Sequence, residues 1–129
     1  MPTTTDEAAV RSVLEAAYGA WADNNAEAFA ALYSDDATIV LPGTYHQGRT
    51  AIREYMAAGF AGPMKGSRPI DTPQNVRVTG DTAIVVSESV ILMAGEESAS
   101  RDRYRRATWV LTRHDGEWVI DAYHNSSLD

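Results

Sequence analysis

The chain contains no cysteine. No disulfide framework can hold it, and no thiolate can serve as nucleophile or metal ligand. Its three histidines, at positions 46, 114 and 124, lack the spacing of a zinc site. Positive charge is also scarce: 11 Lys and Arg stand against 18 Asp and Glu, giving a net charge of −7. A surface of that sign does not suit a phosphate backbone, so nucleic acid is not expected as a partner. No apolar run is long enough to span a membrane. The start, Met-Pro-Thr-Thr-Thr-Asp-Glu, has neither the charged nor the apolar region of a signal peptide. These features point to a cytoplasmic protein without a membrane partner. No Gly-x-Gly-x-x-Gly follows a strand pattern and there is no phosphate loop, so no cofactor is expected.

What is present suits one folded unit. The length of 129 residues, with 44% hydrophobic and 22% charged residues, fits a single domain over 1–129 with a sizeable core. Val10, Val13, Leu14, Ala17, Tyr18 and Trp21 recur at steps of three and four, which predicts a helix over 6–23. Thr5 is its expected N-cap. Asn24 and Glu27 have capping-box spacing for a second helix carrying Phe29, Leu32 and Tyr33. Residues 37–41 read as a strand closed by Pro42-Gly43. Gly48-Arg49-Thr50 opens a third helix reaching about Ala58, with Ile52, Tyr55, Met56 and Phe60 on one side. Residues 64–75 read as a Pro- and Gly-punctuated connection with room for an edge strand.

Strand patterns fill the rest. Residues 74–79 and 82–93 flank a Gly80-Asp81 turn, with Ile84, Val86, Glu88, Val90 and Leu92 alternating on one face of the second. Residues 103–113 and 117–127 flank His114-Asp115-Gly116, a strong hairpin signal. Alternation puts Arg105, Ala107, Trp109 and Leu111 on one face of the first arm. On the return arm it groups Trp118, Ile120, Ala122 and His124. Helices first and antiparallel strands after give an α+β class, with three N-terminal helices laid on a curved antiparallel sheet.

Three segments carry a family resemblance. One is the helix ending in Tyr18 to Trp21. Another runs from Asn25 to Thr38, with Pro42-Gly43 and Gly48-Arg49-Thr50-Ala51-Ile52-Arg53 after it. The last is Asp115 to Ile120, leading to His124-Asn125-Ser126-Ser127. Together they resemble the nuclear transport factor two-like superfamily in its SnoaL-like branch, and most closely the SgcJ/EcaC-type proteins of enediyne biosynthesis. The resemblance implies a cone-shaped half-barrel with an internal pocket, and a homodimer formed through the outer face of the sheet. It implies a role in polyketide-type tailoring, binding an apolar polyene or aromatic intermediate. The chemistry would be isomerisation, cyclisation or dehydration, or there would be none and the protein would sequester a reactive ligand. Fold alone does not choose.

Ketosteroid isomerase, of the same superfamily, pairs a carboxylate base with a tyrosine and a protonated aspartic acid. Here Tyr18 matches the tyrosine, but the base position falls on Leu41 and the acid position on or near Trp109. His124 is then the leading proton-transfer candidate, with Tyr18 as its partner; the plainer reading is a histidine capping the core. Trp21, Leu41, Tyr55, Phe60 and Trp109 are expected to wall the pocket for a flat conjugated ligand. Tyr45 and His46 are placed near its mouth. Glu88 would be a desolvated acid if its face is internal, with Arg105 as an alternative partner; otherwise it is exposed. Asp121 is tempting by type, but alternation turns it away from Ile120.

Overall fold

The computed structural model describes residues 4–128. The beginning of the N-terminal stretch read above, residues 1–3, lies outside the described residues, as does residue 129. The first helix, α1 (Thr4–Ala22), buries Val10, Leu14 and Ala17 completely or nearly so, as the three-four spacing requires. It is already helical at Thr5, so Thr5 is not its cap. Asn24 ends it in the left-handed region, at φ 51°, where asparagine is tolerated better than most residues. The Asn24 amide donates to the carbonyls of Trp21 (2.9 Å) and Ser67 (3.3 Å), and its oxygen accepts from the Gly66 N–H at 2.6 Å. The cap of α2 (Ala26–Ala30) is therefore Asn25, one residue later than expected, and its side chain accepts from the Ala28 N–H at 3.0 Å.

Strand β1 (Tyr33–Leu41) begins four residues before the predicted strand and turns at Pro42-Gly43 into β2 (Thr44–Gln47). Helix α3 (Arg49–Ala61) buries Ile52, Met56 and Phe60 at a spacing of four. Then follow β3 (Arg68–Thr79), β4 (Thr82–Leu92), a short 3-10 turn at Arg101–Arg103, β5 (Arg105–His114) and β6 (Glu117–Ser127). The β5–β6 turn has positive φ at both Asp115 (51°) and Gly116 (82°), the backbone that Asp-Gly favours in a hairpin.

The six strands form one open sheet in the order β2-β1-β6-β5-β4-β3. The α+β class stands. The sheet is mixed rather than wholly antiparallel, because β6 returns from the β3–β6 meander running parallel to β1. Helix α1 lies against β3 and β6, α3 against β1 and β2, and α2 bridges the two helices. Between the helices and the sheet, Leu14, Tyr33, Ile52, Val85, Leu111 and Ile120 are almost completely buried. Each aliphatic side chain among them contributes about 1.5–3 kcal/mol of transfer free energy. Arg113 fastens the end of α1 to the β3–β4 turn, reaching Asp6 at 2.9 Å and Asp81 at 3.0 Å.

Two irregularities decide which side chains face the helices. On β6, Ile120 pairs with Leu111 and Ala122 with Val110, so Asp121 is an extra residue. Such a bulge shifts the alternation by one. Before it, Trp118 and Ile120 point inward; after it, Tyr123 and Asn125 do, and His124 is exposed. The expected grouping of His124 with Ile120 is thereby overturned. Asp121 is held at the bulge by Ser34, whose hydroxyl donates to Oδ1 at 2.7 Å. On β3, Gln74 is the extra residue between Pro73 and Asn75. The inner face of β4 carries Ala83, Val85, Ser87 and Ser89, all buried. Glu88 therefore lies on the opposite face from the one its apolar neighbours suggested.

Candidate functional site

A cavity of about 510 Å³ opens between the helices and the sheet. Its apolar wall includes Trp21, Phe29, Ile39, Leu41, Met56 and Met64. Trp21 is oriented by its Nε1–H, which donates to Ser67 Oγ at 2.9 Å. The asparagine at the end of α1 holds that loop in place.

One carboxyl stands among aromatic rings in this wall. Asp71 is supplied by β3, where its neighbours Pro69 and Pro73 suit a sheet edge because they have no N–H to pair. Asp71 lies directly opposite Ser89 on β4. The Tyr18 hydroxyl donates to Asp71 Oδ2 in a short hydrogen bond. Tyr18 packs edge-on to Trp109 at 6.3 Å, and Trp109 packs on Tyr123 at 4.4 Å. Asn125 orients Tyr123 by donating to its hydroxyl at 2.9 Å.

The electrostatics follow from this burial. Desolvation raises the pKa of Asp71 above the ordinary carboxylate value, and Tyr18, Ser87, Trp109 and Ser89 oppose the rise as hydrogen-bonding neighbours. Burial also raises Tyr18, and the adjacent Asp71 carboxylate adds to it. Tyr33, 1% exposed, is pushed well up by burial, with Tyr123 and Asp71 contributing. Tyr123 is pushed up to about 12, chiefly by burial. The tyrosines therefore stay protonated, Tyr18 donating to Asp71 and Tyr123 accepting from Asn125, while Asp71 is the group able to take a proton.

The hydrogen bonding at Asp71 is incomplete. Asp71 Oδ1, Ser87 Oγ and Trp109 Nε1 are buried, and none closes a well-formed hydrogen bond among the described residues. Ser87 and Trp109 nevertheless stand near enough to favour the ionised carboxyl. Buried polar atoms are nearly always paired, so this loose pairing around one carboxyl singles Asp71 out in the cavity wall.

The residues anticipated from the sequence divide. Tyr18, Trp21, Leu41, Tyr55, Arg105 and Trp109 all line the cavity. Tyr55 does so at the rim, its ring 4.4 Å from that of His46. Phe60 does not line it; 7% exposed, it packs behind Trp21 at 5.8 Å. Glu88 is on the outer face, where Arg101 bonds both its oxygens (3.0 and 3.2 Å) and holds its pKa below the usual value. Arg106, not Arg105, is its second cation, at 3.7 Å. His124 is exposed across the sheet from the cavity. Asp71, Tyr123 and Asn125 were not anticipated. Strict alternation across 68–73 would have grouped Asp71 with the two prolines on one face, whereas nothing in the residue types announces the bulge that turns Tyr123 inward. No group of three or more His, Cys, Asp or Glu side chains is placed to hold a metal ion among the described residues.

The comparisons agree with this architecture. The profile of the SnoaL-like domain family matches residues 10–129. The chain belongs to that family. Its fold is the cystatin-like, nuclear transport factor two-like one. A domain of unknown function from Nostoc punctiforme with a cystatin-like fold is similar at 28% identity and TM-score 0.86, over 97% of this chain and 78% of that one. A nuclear transport factor two-like protein from Novosphingobium aromaticivorans is similar at 22% identity and TM-score 0.80, over 100% and 92%. A Mycobacterium tuberculosis protein of unknown function gives 21% and 0.81, over 97% and 77%. A search of curated proteins gives no match.

Proposed function

We propose that the protein binds a flat, largely apolar aromatic or conjugated small molecule in this cavity and moves a proton on it, Asp71 serving as the base and Tyr18 as a hydrogen-bond donor. One observation carries the reading: a carboxyl with its pKa raised by burial and one oxygen bonded to Tyr18, in the wall of a largely apolar cavity. A raised pKa makes the carboxylate a stronger base, and once Asp71 has taken the substrate proton the neutral Tyr18 hydroxyl is free to turn from it to the enolate oxygen. The chemistry is isomerisation, cyclisation or dehydration without a cofactor. The substrate class is polyketide-like, and the enediyne setting implied by the SgcJ/EcaC resemblance is its narrower form. The carboxylate missing at Leu41 and Trp109 is supplied from β3 instead.

The same reading includes a homodimer through the outer face of the sheet. There Ile84, Val110 and Ala122 form one cross-strand apolar row. Sedimentation of the wild type against Val110→Lys tests it: a dimer that becomes a monomer supports it, and a wild-type monomer removes it.

The catalytic test is incubation in heavy water with a panel of aromatic and conjugated ketones, followed by mass spectrometry of the ligand. Deuterium uptake or a changed skeleton is expected, lowered about 10²–10⁴-fold in Asp71→Asn. Saturable binding with the ligand returned intact and unlabelled supports the other reading, a binding protein that sequesters its ligand.

A further inference from the structure

The inner faces of four strands align Asp71, Ser89, Arg105 and Ser127 in one cross-strand row. Asp71 pairs with Ser89, Ser89 with Arg105 and Arg105 with Ser127. Asp71, Ser89 and Arg105 all line the cavity. Two strand spacings separate the carboxyl from the arginine, about 10 Å along the sheet. The two charges are not each other's partner.

Arg105 differs from the cations around it. Arg103 also lines the cavity, but Glu96 takes it through two hydrogen bonds of 2.8 Å, and the Ile91 carbonyl takes a third at 2.7 Å. Arg101 and Arg106 belong to Glu88. Arg105 makes no ion pair among the described residues, in a chain where acids outnumber bases 18 to 11. The one acid lining the cavity near it, Asp102, accepts from the Ser100 hydroxyl. An unpaired guanidinium beside an aromatic cavity is a ready site for a carboxylate, which it can bind through two parallel N–H groups.

We propose that the natural ligand is an organic acid, an aromatic or alicyclic carboxylate anchored on Arg105 with its reacting position about one ring system away, at Asp71 and Tyr18. The inference rests on the cavity being the ligand site and narrows the substrate class. The anchor does not depend on proton transfer occurring. Arg105 would fix the register of the ligand along the row, so the same scaffold that holds the acid group presents the far ring to Asp71. Neutral polyenes of similar shape would enter the cavity without that register.

Isothermal titration calorimetry with 6-hydroxy-2-naphthoate and 6-hydroxy-2-naphthamide tests this directly, because the two differ little except in charge. The acid is expected to bind at least about tenfold more tightly than the amide, as a charge-assisted pair predicts. Arg105→Gln should erase that preference and leave amide binding within about twofold. Asp71→Asn should keep the preference, so loss of the catalytic reading leaves the anchor standing. Equal binding of acid and amide overturns the proposal. So does an acid preference that survives in Arg105→Gln, or no binding of the acid at millimolar concentration.

Discussion

Tyr18 on the first helix donates its hydroxyl to Asp71, 53 residues further along the chain on the free edge strand of the sheet. This bond joins the helical layer to the sheet at the wall of the cavity. It also opposes the rise in the Asp71 pKa that burial causes.

The raised pKa of Asp71 has a consequence for stability. The folded protein binds the Asp71 proton more tightly than the unfolded chain does, so this contribution is fully present below the unfolded value, about 3.9. It is lost as pH rises through the folded value. Asp71→Asn should therefore melt above the wild type at pH 7, and the gap should close as pH falls below about 4. Thermal melts between pH 3 and pH 8 check it. A variant that melts below the wild type at pH 7 would contradict the assignment.

Removing the donor should act in the opposite sense. In Tyr18→Phe the Asp71 Oδ2 atom loses its partner, and the carboxyl pKa should rise further, because that hydrogen bond now lowers it. At neutral pH the loss should cost about 1–2 kcal/mol. A carbon-detected NMR titration of the Asp71 carboxyl, with a urea melt beside it, measures both.

Ser87 is completely buried, and its hydroxyl closes no hydrogen bond among the described residues. Replacing an unpaired buried hydroxyl removes a desolvation cost and leaves only a very small void. At pH 3, where Asp71 is protonated, Ser87→Ala should change stability by less than about 0.5 kcal/mol. It should still raise the Asp71 pKa, since Ser87 favours the ionised form. A raised Asp71 pKa with a stability loss at pH 7 that is absent at pH 3 separates a role in the site from a role in packing.

His124 and Tyr123 make a matched pair on opposite faces of β6, just beyond the bulge. His124→Ala should leave ligand affinity within about twofold, because the imidazole is exposed across the sheet from the cavity. Tyr123→Ala should weaken binding by about tenfold or more, through loss of a ring that packs at 4.4 Å on Trp109. The naphthoate titration reads both.

Helix faces and the C-terminal hairpin were legible because each depends on short-range pattern. The spacing of Val10, Leu14 and Ala17 needs only the helix period, and Asp115-Gly116 needs only its own backbone preference. The aromatic wall was largely legible for the same reason. What escaped depends on long-range geometry. Asp71 lies in a strand whose prolines read as loop until a neighbouring strand is known. The β4 face misled because Ile84 and Val86 are as apolar as the residues that turn inward. Their side of the sheet is set by pairing with β3 and β5, not by their own hydrophobicity. His124 was misplaced by one inserted residue.

That insertion has a meaning for how such a protein can change. Counting along β6 is a matter of parity: beyond Asp121, Tyr123 and Asn125 face the cavity, and Ala122 and His124 face the other side of the sheet. Drawing Asp121 into the regular ladder, with no residue lost, would exchange the two sets at a stroke. His124 would then turn to the cavity side of the sheet and Tyr123 away from it. The lining of this scaffold can thus be rewritten by a slip in the register of one strand as readily as by replacing a residue.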